Sequence, residues 1–259
     1  METLKIIKIG GNIINDEPAL NTFLGKFAAL EGPKILVHGG GKLATSLAQQ
    51  MNVKVNIKEG RRITDAATLD IITMTYAGKI NKQIVASLQA HQCNAIGFSG
   101  ADGNTIVATK RPVKDVDYGF VGDIQSVHTE TLDILIQNKI TPIFCAITHD
   151  NRGQLLNTNA DTMGSALAIA FSKSYQVSLY YCFEKSGVLK SVDDENSLIK
   201  NMSPQTYKTL IDQGIITDGM IPKLDNCFYA LTHNVHNVCI GLPEMVFDAT
   251  IPHTLLHNS

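Results

Sequence analysis

Twice near the N-terminus, a short β-branched apolar run ends in glycines and gives way to a helical pattern. Leu4 to Ile9 runs into Gly10-Gly11-Asn12, after which Asp16 offers a cap and Glu17-Pro18 a first turn for a helix to about Leu30. Lys34 to His38 repeats the plan, with Gly39-Gly40-Gly41 as the turn and Leu43 to Met51 as an amphipathic helix. Two successive strand–turn–helix units predict a parallel sheet wound with helices, because only a crossover of that length joins parallel neighbours.

The same alternation continues. Val53 to Ile63 alternates about Glu59-Gly60 as a hairpin does, and Asp65 caps a helical pattern to about Gln92. Asn94 to Phe98, Thr105 to Thr109 and Gly119 to Val127 read as strands, the last two as antiparallel insertions. A helix at Thr129 to Asn138 and a strand at Thr141 to Thr148 complete a first half. A loop at His149 to Asn159 then leads to a small-residue helix from Asp161 to Lys173 and a strand at Gln176 to Cys182. After a polar excursion at Ser191 to Ser197 come helices at Ser203 to Gln213 and Pro222 to Thr232, and a strand at Asn237 to Ile240. No fixed-period repeat or low-complexity linker interrupts the chain. The expectation is two lobes, 1–160 and 161–259, sharing one continuous sheet.

At 259 residues the chain is long enough to bury a large core, and 44% hydrophobic with 18% charged residues excludes a disordered or coiled-coil protein. A formal net charge of −2 gives no global field to gather nucleic acid or an anionic membrane, so any anion must be captured locally. No stretch approaches the roughly 18 apolar residues of a membrane span, nor does a basic segment with a long apolar run open the chain, which predicts a cytoplasmic protein. Cys93, Cys145, Cys182, Cys227 and Cys239 stand apart without a C-x-x-C pair, and they read as reduced core thiols. The eight histidines show no ligand spacing, so no metal site of protein ligands is expected and His38 reads as structural.

Glycines at strand ends let backbone N–H groups approach an anion, and the next helix adds positive potential. Neither cluster here matches G-x-G-x-x-G or the Walker pattern, since Gly41-Lys42 is followed by Leu43. Each cluster therefore makes either a tight turn or an anion cradle. Lys8 lies within an apolar strand two residues before Gly10, where its ammonium group either snorkels to water or meets a phosphate. Thr217-Asp218-Gly219-Met220-Ile221-Pro222-Lys223 puts a second lysine in the first turn of a helix, where the dipole opposes it unless an anion is present. Asn157-Thr158-Asn159-Ala160-Asp161 precedes the small-residue helix; Asn159 or Thr158 suits an N-cap and Asp161 can orient ammonium groups. Arg61 and Arg62 bring forks suited to bidentate capture of a carboxylate.

Six segments taken together resemble the amino acid kinase family, and within it the acylglutamate kinases. They are Ile7-Lys8-Ile9-Gly10-Gly11, Val37-His38-Gly39-Gly40-Gly41, Arg62-Ile63-Thr64, Gly97-Phe98-Ser99-Gly100 with Asp102-Gly103, Asn157-Thr158-Asn159-Ala160-Asp161 and Gly219-Met220-Ile221-Pro222-Lys223. They run in order from Lys8 to about Gly241, nearly the whole chain.

The resemblance implies a three-layer α/β/α sandwich around a mainly parallel sheet, with N-acyl-L-glutamate in the N-terminal lobe and ATP in the C-terminal lobe. It implies transfer of the γ-phosphoryl group to the substrate's γ-carboxylate, with magnesium carried by ATP. By the same resemblance Lys8 and Lys223 stabilise the transferring group and Asp161 holds both. Gly11, Gly40 and Gly41 donate N–H groups, Arg62 and Asn157 grip the substrate, and Gly10, Glu184, Ser186, Gly187 and Thr217 serve the nucleotide. A homodimer follows too, and the few residues before the first strand imply insensitivity to arginine.

Arg61 and Glu184 depart from the family pattern. Arg61 stands where an apolar residue is common and adds positive potential near the acyl pocket, which leaves the acyl group open between acetyl and a charged one such as succinyl, and the end from Phe247 to Ser259 follows no family pattern. The sibling readings are a kinase for another carboxylate or carbamate, and a non-catalytic regulatory binder on the same fold.

Overall fold

The computed structural model describes residues 1–58, 61–216 and 220–258. Strand β1 (Thr3–Ile9), the short helix α1 (Gly11–Asn15), α2 (Glu17–Ala29), β2 (Lys34–His38) and α3 (Gly41–Gln50) are the two units expected from the sequence. Asp16 caps α2, accepting the Ala19 N–H at 3.0 Å, and Pro18 occupies its first turn, where the missing N–H costs nothing. The antiparallel pair β3 (Asn56–Lys58) and β4 (Arg61–Ile63) forms the expected hairpin, whose centre, Glu59-Gly60, lies outside the described residues. Asp65 then caps α4 (Ala66–Thr73), which continues through a π-helical stretch at Met74–Ile80 into α5 (Asn81–Ala90).

The chain proceeds through β5 (Ala95–Phe98), β6 (Ile106–Lys110), β7 (Gly122–Val127), α6 (Glu130–Gln137), β8 (Thr141–Cys145), β9 (Ile147–His149), β10 (Leu155–Asn157), α7 (Ala160–Phe171) and β11 (Gln176–Cys182). It ends with β12 (Asn201–Met202), α8 (Pro204–Asp212), α9 (Ile221–Thr232), β13 (Asn237–Gly241) and β14 (Thr254–Leu256). Eight strands make one sheet in the order β12-β14-β13-β11-β1-β2-β8-β5, with only β13 and β14 antiparallel. Four more, β10-β9-β6-β7, form a smaller sheet beside it.

Helices cover both faces of the large sheet, as the sandwich requires. Along β1, Leu4 and Ile6 join the cluster containing Met163 and Leu167 of α7 and Leu224 of α9. Ile7 and Ile9 join the opposite cluster with Phe23 and Phe27 of α2 and Ala44 of α3. Strand period two decides this division, and each fully buried Leu or Ile contributes roughly 1.5–3 kcal/mol of transfer free energy. Lys8 shares the parity of Leu4 and Ile6, so it faces α7.

Three features correct the sequence reading. The run Thr141 to Thr148 is not one strand, because Ala146 leaves the ladder and its carbonyl accepts the Thr158 N–H at 3.1 Å, sending β9 into the smaller sheet. The expected loop from His149 to Asn159 contains β10. The divergent C-terminal end supplies β14, which pairs with both β13 and β12. All five cysteines are buried free thiols, and burial pushes those of Cys145 and Cys239 up to about 12, which keeps them unreactive.

Candidate active site

At the C-terminal ends of the parallel strands, one carboxylate binds two lysines from opposite parts of the chain. Asp161 Oδ1 lies 2.7 Å from Lys8 Nζ, and Asp161 Oδ2 accepts from Lys223 Nζ at 2.8 Å. Each position has a local cause. Lys8 is aimed at α7 by strand alternation. Asp161 sits in the first turn of α7 because Asn159 caps that helix, its Oδ1 accepting the N–H groups of Asp161 and Thr162 at 2.8 and 3.1 Å. Lys223 stands in the first turn of α9, beside Pro222, as the sequence predicted. The Ser165 hydroxyl donates to the Asn226 carbonyl at 3.0 Å, locking α7 to α9 just past the triad, and the buried Tyr181 hydroxyl donates to the Asp161 carbonyl at 2.9 Å.

Burial alone would raise the Asp161 carboxyl, but the charges of Lys8 and Lys223 and their hydrogen bonds outweigh it and hold the group well below the usual carboxylate range. The three side chains are only 14%, 16% and 17% exposed. A cluster of two cations and one anion so shielded carries an uncompensated positive charge, an expensive arrangement if stability were its only role. A phosphoryl anion would balance it.

A cavity of about 690 Å³ opens beside Lys8, lined by Gly10, Gly11, Gly40, Gly41, Arg62 and Asn157 among others. Residues from the first turns of α1, α3, α7 and α9 line it, so the positive ends of four helices border one space. Gly40 stands in close quarters, since a Cβ there would collide with Ile80 Cδ1 and come within 2.9 Å of the Tyr76 ring. The π-helical stretch presents both of those side chains. Arg62 reaches the start of α3, its Nη2 donating to the Gly41 carbonyl at 3.0 Å and the Thr45 hydroxyl at 2.8 Å. Asn157 donates to the Thr64 hydroxyl at 3.0 Å.

Of the nucleotide residues expected from the resemblance, Gly10 lines this cavity, whereas Glu184, Ser186 and Gly187 stand outside its lining. Ser186 donates to Glu195, which also pairs with Lys185 at 2.8 Å. Gly187 packs where a Cβ would meet Leu198 and Thr254 at 2.5 Å. Glu184 lies just beyond β11, and Thr217 lies outside the described residues. The lining also includes Lys42, Thr45, Tyr76, Arg111 and Asn226, which sequence reasoning missed. Lys42 carries a readable signal, a lysine in the first turn after a glycine cluster, although the Walker pattern breaks at the next residue, Leu43. His38 is fully buried between the Gly39 carbonyl and the Asn81 amide, and burial pushes its imidazole down to about 4, a structural histidine as expected. Among the described residues no group of three or more His, Cys, Asp and Glu side chains has metal-site geometry. None of their helices is long and apolar enough to cross a membrane.

Residues 3–241 match the model of the amino acid kinase family. A protein of Cytophaga hutchinsonii named acetylglutamate kinase is 51% identical over 249 residues, covering 96% of this chain and 94% of that one. One of the same name from Phocaeicola vulgatus is 50% identical over 245 residues, covering 95% of each. Among solved structures, smu.665 from Streptococcus mutans UA159 superposes with a TM-score of 0.78 at 21% identity, over 99% of both chains.

Proposed function

Since the chain belongs to the amino acid kinase family, we propose that it is an ATP-dependent N-acyl-L-glutamate kinase, with the N-acetyl-L-glutamate kinase activity its relatives are named for. It transfers the γ-phosphoryl group of ATP to the substrate's γ-carboxylate and yields an acyl phosphate and ADP, a step of arginine biosynthesis. The observation that carries this reading is the pair of lysines on the single carboxylate of Asp161, beside two glycine-lined strand ends.

A carboxylate is already a nucleophile and needs no general base, so the chemistry reduces to alignment and charge stabilisation. Lys8, from the N-terminal lobe (residues 1–160), and Lys223, from the C-terminal lobe (residues 161–259), flank the transferring group and offset charge on its equatorial and leaving oxygens. Asp161 is a positioning residue, holding both ammonium groups at a fixed separation. Backbone N–H groups at Gly10 and Gly11 face phosphate oxygens, and those at Gly40 and Gly41 face substrate and phosphoryl oxygens. Arg62 spends one nitrogen on Gly41 and Thr45 and keeps its remaining donors for the α-carboxylate; Asn157 serves the neighbouring polar groups. Glu184, Ser186 and Gly187 serve the nucleotide. Magnesium, when bound, rides on the oxygens of ATP and neutralises them; Asp161, engaged by two lysines, is not a candidate ligand.

The enzyme works in the cytoplasm as a homodimer, joined through the sheet edge at β5, where Ile96 stands 40% exposed. Trapping the acyl phosphate with hydroxylamine while measuring ADP release tests the reaction: both products must appear only when ATP and an N-acyl-L-glutamate are supplied together. ADP release with carbamate or another carboxylate, and none with acylglutamate, would give the chain to a sibling kinase. No turnover at all would leave a non-catalytic binder.

A further inference from the structure

We infer that Lys42 and Arg61 form a second carboxylate subsite in the substrate cavity, for an acid group at the end of the N-acyl arm, so that a succinyl-type acyl group is preferred to acetyl. The inference rests on the N-acyl-L-glutamate kinase reading and goes beyond it by naming the acyl class.

It comes from matching cations to anions. The cavity is lined by Lys8, Lys42, Arg61, Arg62 and Arg111 and, among the described residues, by no Asp or Glu. The ATP phosphates fall to the backbone N–H groups of the glycine turns and to Lys8 and Lys223, and N-acetyl-L-glutamate offers two carboxylates. The γ-carboxylate meets the phosphoryl group between Lys8 and Lys223, and the α-carboxylate falls to Arg62. Arg111 is closed by Asp123, with Nε and Nη2 donating to its Oδ1 at 3.0 and 2.6 Å. Lys42 and Arg61 remain, each without an acidic partner among the described residues.

Lys42 is held for a purpose that its own contacts do not satisfy. Its Nζ donates to Asn12 Oδ1 at 2.6 Å, which fixes the ammonium between the starts of α1 and α3 and leaves two of its three protons without a partner among the described residues. It stands in the first turn of α3, where the helix dipole repels a cation unless an anion lies alongside. Arg61 precedes Arg62 on β4 and lines the same cavity, together with the apolar side chains of Ile57 and Val121, which suit the methylenes of an acyl chain. Both cations are solvent-exposed, so the subsite lies in the open part of the cavity, where a longer acyl arm ends. Screening by water there limits the gain to about one charge-assisted hydrogen bond, roughly tenfold in kcat/KM.

The test compares kcat/KM for N-acetyl-, N-butyryl- and N-succinyl-L-glutamate in the wild type and in Lys42→Met, Arg61→Leu and the double variant. Butyryl matches succinyl in length but lacks its acid, so their ratio reads charge apart from size, and a ratio taken within one preparation is unaffected by loss of folded enzyme. Succinyl should exceed both butyryl and acetyl by about tenfold in the wild type, and the succinyl-to-butyryl ratio should fall about threefold or more in each variant and approach one in the double. A wild type that prefers acetyl or butyryl overturns the inference. So does a ratio the substitutions leave in place, including a uniform rise in the KM for ATP, which would assign these cations to the nucleotide. No hydroxamate with any of the three substrates would instead remove the kinase reading itself.

Discussion

Two buried ionisable groups, His38 at the end of β2 and Asp161 in the first turn of α7, set how the protein responds to acid, and they act in different pH ranges. His38 is neutral in the fold because burial pushes its imidazole down to about 4, against about 6.5 in an unfolded chain. Its contribution is complete above about pH 6.5 and is lost as pH falls from there toward 4, since the unfolded state binds the proton first; the full effect is about 3 kcal/mol. Asp161 has the opposite character, a carboxyl held below its usual range, whose contribution is present above about pH 4 and is lost only at lower pH. Urea unfolding from pH 8 to 4.5 should therefore show stability declining below about 6.5, with that decline flattened in His38→Gln. The acid limb of kcat should not carry an Asp161 titration anywhere above pH 5. A decline unchanged by the substitution would mean that another group sets it.

Among the elements, the π-helical stretch Met74–Ile80 packs closely against the start of α3 at the border of the cavity. Gly40→Ala drives a Cβ into Ile80 and Tyr76, so α3 must shift and take the Gly41 N–H and the Arg62 anchor with it. Overpacking of this kind costs roughly 1–3 kcal/mol. In a chain of this size that lowers Tm by several degrees, and kcat/KM for acylglutamate should drop more than a stability loss explains. Calorimetry beside steady-state kinetics checks both, and an unshifted Tm with full activity would show that the contact yields freely. The glycine after β2 was legible because strand, glycines and helix follow one another locally, as were Asp16, Asp65 and Asn159 as caps. The π-helical register was not legible, since an extra residue per turn leaves the apolar pattern of α4 to α5 almost unchanged. Nor were β10, β12 and β14, of three, two and three residues, whose pairing is decided by distant partners and not by their own periodicity. In the site, Lys8, Asp161 and Lys223 stood out by position in their elements, whereas Arg111 and Tyr76 enter the cavity through tertiary packing alone.

For the whole molecule, one sheet carries strands from residues 1–160 and from residues 161–259, and its parallel strands end on a common edge where α1, α3, α7 and α9 begin. Lys8 and Lys223, more than two hundred positions apart, thereby meet on the one carboxylate of Asp161. Association through β5 would extend that sheet to a second copy, and light scattering should give twice the 28.1 kDa chain mass, a monomer at micromolar concentration being the contrary result. The convergence of Lys8 and Lys223 is tested most directly by kcat for acyl hydroxamate formation in Lys8→Met, Lys223→Met and the double variant, all at saturating substrates. In the proposed mechanism both lysines meet the same phosphoryl group, so each single change should lower kcat by roughly a hundredfold or more, and the double by clearly less than the product of the two. A kcat within a few-fold of wild type for either single variant, or fully multiplicative losses in the double, would mean that the two ammonium groups do not act together on the transferring phosphate.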